Sequence, residues 1–265
     1  MVKKSTHDGK WAIILGASSG LGLATAKKLA AHGMNLCLVY RERRSEFTAI
    51  EKELITIEKK CNIKIVHYNL DAMKVENRES VLEHLKETLK LEGEVQVLVH
   101  SIAKGNLKPM GAAEGTLQND DFRLTINSMA ISLYDWTKDI IKYNLFSEDT
   151  RIISFTSEGN TKAWPNYAAV SAAKVALESI TRNIALEFAP LGIKANCIQA
   201  GVTDTASFRM IPGSDYIKEN TLKRNPNQRM TTPEDVADVV YLLTREEAKW
   251  ITGTIIPVDG GEHLS

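Results

Sequence analysis

Alternation constrains this chain most: short apolar runs recur along it, separated by stretches with helical spacing. The runs are Trp11–Leu15, Asn35–Tyr40, Ile63–His67, Val95–His100, Arg151–Thr156, Ile193–Ile198 and Thr254–Val258. Between them, an alanine-rich stretch follows Leu23, and Phe47, Ile50, Leu54 and Ile57 keep a 3-4-3 spacing within Ser45–Lys60. Further helices are expected over Val75–Leu91, through Tyr134 and Trp136 towards Tyr143, from Tyr167 through Leu186, and from Thr232-Pro-Glu-Asp onwards. Uninterrupted apolar strands alternating with helices imply a parallel sheet covered by helices on both faces, an α/β architecture.

The 265 residues carry 33 basic and 33 acidic side chains, so neither a basic stripe nor a nucleic-acid partner is implied. Cys37, Cys61 and Cys197 are odd in number and lack metal-ligand spacing, which fits packing residues in a reducing compartment. No signal-like core precedes Lys10 and no run approaches 18 apolar residues, so a cytoplasmic protein without a membrane segment is expected. Length alone hints at two domains, but no linker or repeat interrupts the pattern. One domain over 1–265 is expected, with a tail at 1–9.

The first strand ends in Gly16-Ala-Ser18-Ser19-Gly20-Leu21-Gly22 and a helix follows. Glycines let backbone approach a pyrophosphate while free N–H groups and the positive helix end favour the anion. The spacing is G-x-x-x-G-x-G, and the plain alternative is a ligand-free glycine turn. After the second strand, Arg41, Arg43 and Arg44 suit a ribose 2′-phosphate; Glu42 argues against it, and a solvated charge run is the alternative. Asp71, beside Ala72, is placed to bind an adenine amine or to serve as an ordinary turn residue. Ser101, Ile102 and Ala103 follow strand four, where such folds place their ligand crevice, and His100 reads as a hydrogen-bonded structural histidine.

Residues 104–115 read as a loop, with Asn119 or Asp120 capping the next helix. Tyr134 and Lys138 stand four residues apart but before strand five, so they are expected to face helix neighbours or a subunit contact. Tyr167 and Lys174 follow strand five, which ends at Ser157. Seven residues make about two helical turns, placing phenol and ammonium roughly 10 Å apart on one face. The stretch 201–230, holding Thr203, Thr205, Phe208, Met210 and Ile211, is long for a loop and reads as a substrate lid. Its apolar residues suit an acyl chain or ordinary lid packing.

Over residues 10–261 the chain resembles the short-chain dehydrogenase/reductase family. The resemblance rests on Gly16-x3-Gly20-x-Gly22, Asp71, Ser157, the Tyr/Lys pair, Gly201 through Thr205 and the closing Val-Asp-Gly-Gly261. It implies a single doubly wound Rossmann-like domain with a seven-stranded parallel sheet, a nicotinamide cofactor and usually a homotetramer. The family's Tyr-x3-Lys spacing would put the phenol at Val170, so only Tyr167 can serve. That six-residue gap, with His-Ser-Ile-Ala103 after strand four, resembles the divergent branch of enoyl-acyl-carrier-protein reductases. Ser157 stands where many of that branch carry a second tyrosine, which is closer to the NADPH-using subset.

The resemblance implies that Tyr167, Lys174 and Ser157 are catalytic. It further implies that the glycine turn, Arg41, Asp71, Ala72, Ser101, Ile102, Ala103, Lys174, Thr203 and Thr205 hold NADPH, NADH being less expected. The substrate would be an enoyl thioester on acyl-carrier protein or coenzyme A. In carbonyl reduction the hydride lands about 1.2 Å from the oxygen; in enoyl reduction it lands roughly 3 Å away, so the oxygen's donor must stand farther from the nicotinamide. A ketoreductase or other carbonyl reductase is the alternative enzyme, and a non-catalytic cofactor-binding regulator is the alternative class.

Overall fold

The computed structural model describes residues 7, 9–89, 93–111 and 114–265. Its strands are β1 (Lys10–Leu15), β2 (Asn35–Tyr40), β3 (Ile65–Asn69), β4 (Glu94–His100), β5 (Phe146–Ser157), β6 (Ile193–Ala200) and β7 (Ile255–Val258). The helices are α1 (Gly20–Ala31), α2 (Arg44–Cys61), α3 (Val75–Leu89), α4 (Asn119–Ile126), α5 (Ser132–Lys142), α6 (Ala168–Glu187), α7 (Ala206–Arg209), α8 (Ser214–Arg224) and α9 (Pro233–Leu243). All strand pairings are parallel, in the order β3-β2-β1-β4-β5-β6-β7.

Because successive strand residues point to opposite faces, β1 feeds two cores. Ile13 and Leu15 pack with Leu82 and Leu85 of α3, Trp136 of α5 and Leu177 of α6. Ala12 and Ile14 pack instead with Leu29 of α1, Leu54 of α2 and Val240 of α9. Burial on both faces is what makes the strands continuous apolar runs in sequence. Cys37 and Cys197 are buried free thiols, and burial pushes the Cys37 thiol up to about 12. Among the described residues, no helix is long and apolar enough to cross a membrane.

The chain leaves β1 towards β2 and β3, then returns to lay β4 on the other side of β1: Ile13 pairs with Cys37 and with Leu98. Connections therefore diverge at the carboxyl ends of β1 and β4, opening a crevice there.

Several boundaries differ from expectation, for local reasons. β3 starts at Ile65 rather than Ile63 because Asn62 takes a left-handed conformation (φ 51°) as the C-cap of α2, and Ile63 donates back to Glu58 O at 3.3 Å. The expected end of α3 at Leu91 falls outside the described residues, as does most of the 1–9 tail. Gln118 caps α4, not Asn119 or Asp120: Asp121 accepts from the Gln118 backbone N–H at 2.9 Å, three residues on. The long helix through Tyr134 is broken by a wide π-turn at Asn127–Ile131. There Ser128 and Ser132 donate back to Leu124 O and Ser128 O, a pattern that bends helices.

Two differences bear on the site. The 201–230 stretch is not a loop but carries α7 and α8, and its ends meet where Thr203 bridges Thr231. Tyr167 is the N-cap of α6 (φ −109°, ψ 0°) rather than its first helical residue, so it stands just outside the helical turns that lead to Lys174. The phenol is thus hung from the helix entrance, where the backbone has more freedom to aim it.

Candidate active site

A cavity of about 970 Å³ opens at the crevice. The turn after β1 forms one wall through Gly16, Ser18, Ser19, Gly20 and Leu21. A Cβ on Gly16 (φ +81°) would stand 2.5 Å from Ser101 O, so only glycine lets this turn lie against the segment after β4. Gly22 is off the cavity wall: its Cβ would stand 2.2 Å from Gly16 O, so its part is to let α1 press on the turn. Ser19, the N-cap of α1, makes no side-chain capping bond, and the first helical turn has no acid. The positive end of α1 therefore meets the cavity uncompensated, which suits a phosphate.

Past the end of β2, Arg41, Glu42 and Arg43 line the cavity, whereas Arg44 opens α2 away from it. The Arg41 guanidinium is engaged with Asp71 at 2.6 Å, and Asp71 Oδ1 accepts from Met73 N at 3.0 Å. Glu42 accepts from Ser18 Oγ at 2.8 Å, fastening the glycine turn to this rim. Asp71, Ala72, Ser101, Ile102 and Ala103 all line the same space.

His100 is buried with Nε2 2.7 Å from Ser132 Oγ. Burial pushes its pKa down to about 3, helped by the Lys174 charge, so it is neutral and structural. Lys174 is also buried, and its Nζ donates to Phe155 O at 2.6 Å. Burial brings this ammonium down to about 8, against the opposing pull of Cys197 and Glu178. Burial raises the Tyr167 phenol above its usual value, so at neutral pH it remains a hydrogen-bond donor. Its hydroxyl lies 3.4 Å from Ser157 Oγ. Val170 also lines the cavity, an apolar surface where the family's usual spacing would set a phenol.

Thr203 and Thr205 line the cavity at the start of the segment that carries α7 and α8, Thr203 donating to Gly201 O at 2.9 Å and Thr205 capping α7 by accepting from Phe208 N at 3.2 Å. Phe208, Met210 and Ile211 close an apolar side of the cavity. Tyr134 and Lys138 lie away from it, the ammonium 5.7 Å over the ring on α5.

Sequence reasoning missed Gly159, whose Cβ would stand 2.5 Å from Cε1 of Tyr167, and Glu178, a buried carboxylate holding Thr156 and Asn160. It also missed Arg224 of α8, which grips Glu158 at 2.8–3.1 Å and ties that helix to the turn after β5. None of these belongs to a short motif; a glycine two residues past the strand-five serine was the one visible signal.

A doubly wound sheet with a glycine-built anion cradle at its switch point, facing a tyrosine and a lysine, is the architecture of a dinucleotide-dependent oxidoreductase. The cavity is long enough to run from the cradle to Tyr167, and the cradle's open helix end fits a pyrophosphate. The family model described as enoyl-(acyl carrier protein) reductase matches residues 16–263. The chain belongs to this family, the enoyl-reductase-like branch of the short-chain dehydrogenase/reductases. It is 27% identical to an NADH-dependent enoyl-[acyl-carrier-protein] reductase of Aquifex aeolicus, covering 97% of this chain and 92% of the relative. A crystal structure of the enoyl-[acyl-carrier-protein] reductase (NADH) from Aquifex aeolicus superposes with a TM-score of 0.84 over 97% of this chain and 98% of that one, at 27% identity. A 7alpha-hydroxysteroid dehydrogenase of Paraclostridium sordellii is similarly near, 28% identical over 97% of this chain and 93% of its own.

Proposed function

We propose that the protein reduces the trans-2 double bond of an enoyl thioester, carried by acyl-carrier protein or coenzyme A, with NADPH. One observation carries the reading: Tyr167, the tyrosine that faces Ser157 on the cavity wall, hangs from the entrance of α6, while Val170 covers the position of the usual phenol. When bound, the nicotinamide would supply a hydride to the β-carbon, and the enolate so formed would take a proton from solvent at the α-carbon to give the saturated thioester. Tyr167, held protonated, donates a hydrogen bond to the thioester oxygen and stabilises the enolate charge that develops there. Lys174 holds the ribose hydroxyls and adds positive potential near the phenol; Ser157 supports the substrate oxygen. Gly16, Ser18, Ser19, Gly20 and Leu21 cradle the pyrophosphate, with Thr203 and Thr205 at the nicotinamide end, and Arg41 and Arg43 face the 2′-phosphate. The segment 201–230 serves as the lid over the acyl chain, and a homotetramer is the proposed assembly.

The Ser157–Tyr167 contact favours a second reading. Two hydroxyls 3.4 Å apart can converge on one carbonyl oxygen, as a carbonyl reductase needs. The test is loss of NADPH absorbance with a short trans-2-enoyl thioester beside the matching 3-oxoacyl thioester. Faster loss with the enoyl substrate is expected; loss with the oxo substrate alone would establish the second reading. Tyr167→Phe is expected to lower kcat by about 10²-fold with NADPH still bound, and retained activity would remove Tyr167 from the chemistry.

A further inference from the structure

The phenol of Tyr167 has an unusual support. Its ring lies against Gly159, in the turn that follows β5, and a Cβ there would come within 2.5 Å of Cε1 and 3.0 Å of Cδ1. The ring's place is therefore set by the place of this turn. The turn is fastened at both its ends to one atom. Thr156 Oγ1, just before Ser157, donates to Glu178 Oε1 at 2.5 Å, and Asn160 Nδ2, just after Gly159, donates to the same oxygen at 2.6 Å. Asn160 Nδ2 also reaches Gln199 Oε1 on β6 at 3.4 Å. Glu178 is 7% exposed and lies one helical turn beyond Lys174 on α6. A buried carboxylate with charge-assisted partners holds geometry firmly, because water is not there to replace a lost bond.

We propose that Glu178 is a positioning residue, which fixes the Tyr167 hydroxyl by stapling the Thr156–Asn160 turn to the helix that carries Lys174. The inference rests on the donor role of Tyr167 proposed above. Glu178 does not line the cavity; beside its pull on the Lys174 charge, it acts on the phenol through Gly159 and the ring. Ser157 lies inside the same turn, so the staple also holds its hydroxyl beside the phenol. A donor displaced by about 1 Å costs on the order of 10²-fold in rate, which is the scale on which such a support matters.

The test is a mutant cycle on the full-length protein, reading kcat, NADPH dissociation constant and thermal melting. Glu178→Ala is expected to lower kcat at least about tenfold with NADPH affinity within about twofold. Glu178→Gln keeps an acceptor oxygen for Thr156 and Asn160 without the charge, and is expected to restore kcat to within about threefold of wild type. In the Tyr167→Phe background, Glu178→Ala is expected to cost about threefold at most, because the phenol hydroxyl is gone and only that of Ser157 remains to be misplaced. Equal losses in both backgrounds, or a Gln variant as slow as the Ala variant, would overturn the proposal. A wild-type rate in Tyr167→Phe itself would instead overturn the donor role beneath it. Should Glu178→Ala not fold, Gly159→Ala asks the same question from the ring side. It is expected to lower kcat only where the Tyr167 hydroxyl is present, and a loss in both backgrounds would refute the mechanism.

Discussion

Gly22→Ala tests whether the close packing of α1 on the glycine turn governs both stability and cofactor binding. The new Cβ would begin 2.2 Å from Gly16 O and 3.0 Å from Gly16 C. Reaching ordinary contact requires a retreat of about 1 Å. The opposing atoms are backbone and cannot rotate away. Gly16 N–H is tied to Val39 O at 2.8 Å, and Ser101 N–H to Leu15 O at 2.8 Å, so the turn is held from both flanking strands. Overpacking of this kind costs about 1–3 kcal/mol, of which alanine's better helix propensity offsets about 0.5–1 kcal/mol. A net loss of about 1–2 kcal/mol lowers the melting temperature of a chain this size by about 2–8 °C. The same shift moves the N–H groups of the cradle, so NADPH affinity should fall at least about tenfold, the equivalent of about 1.4 kcal/mol. Differential scanning fluorimetry and NADPH fluorescence titration read the two effects, with Gly111→Ala as control because a Cβ there meets nothing within 4 Å. If Gly22→Ala melts and binds like that control, the cradle is not built as argued.

Three further outcomes are expected. Arg78 and Asp139 form a buried pair at 2.5 Å, with side chains 6% and 11% exposed, so Asp139→Asn strands a guanidinium charge and should cost about 3–5 kcal/mol, read as a lower urea midpoint at unchanged slope. Lys174, at about 8 when folded against 10.5 when free, lets the native state release its proton first, so the cofactor-free protein gains stability relative to Lys174→Met as pH rises from about 8 towards 10.5, while its NADPH affinity falls over the same window; a flat difference would place the ammonium in water. Exchanging Arg41 and Arg43 for serine should weaken NADPH more than NADH in a titration, and equal losses would contradict a 2′-phosphate site at this rim.

The sheet was legible because its inner strands are mostly buried on both faces and read as apolar runs, whereas the edge strands β3 and β7 are only partly buried. Boundaries were less legible where one side chain decides them, as at Asn62, which turns left-handed and delays β3 by two residues. The glycine turn was visible because its chemistry is local. Glu178 was not, because it is a polar residue in a helix of ordinary spacing, and its meaning comes from Thr156 and Asn160, 22 and 18 residues distant along the chain. The 201–230 segment looked like a long loop because α7 and α8 are short and Pro212 and Pro226 flank α8. Tyr167 was readable as the candidate phenol, but its seat at the helix entrance was not, since the turn at Asn166 (φ 63°) and the space left by Gly159 are tertiary facts.

The bridge between Thr203 and Thr231 brings the two ends of the segment between them together, and the segment is tied back to the frame through Thr221, Arg224 and Asn225. Both ends leave from one spot above the sheet, so the excursion can lengthen, shorten or change sequence without altering the spacing of β6 and α9. Closing a longer excursion costs only about 0.6 kcal/mol for each doubling of its length. The glycine turn and Tyr167 belong to the frame, whereas Phe208, Met210 and Ile211 belong to the excursion. Grafting residues 206–223 from a relative with a different substrate onto this frame, with Thr205 and Arg224 kept, is therefore a direct route to new selectivity.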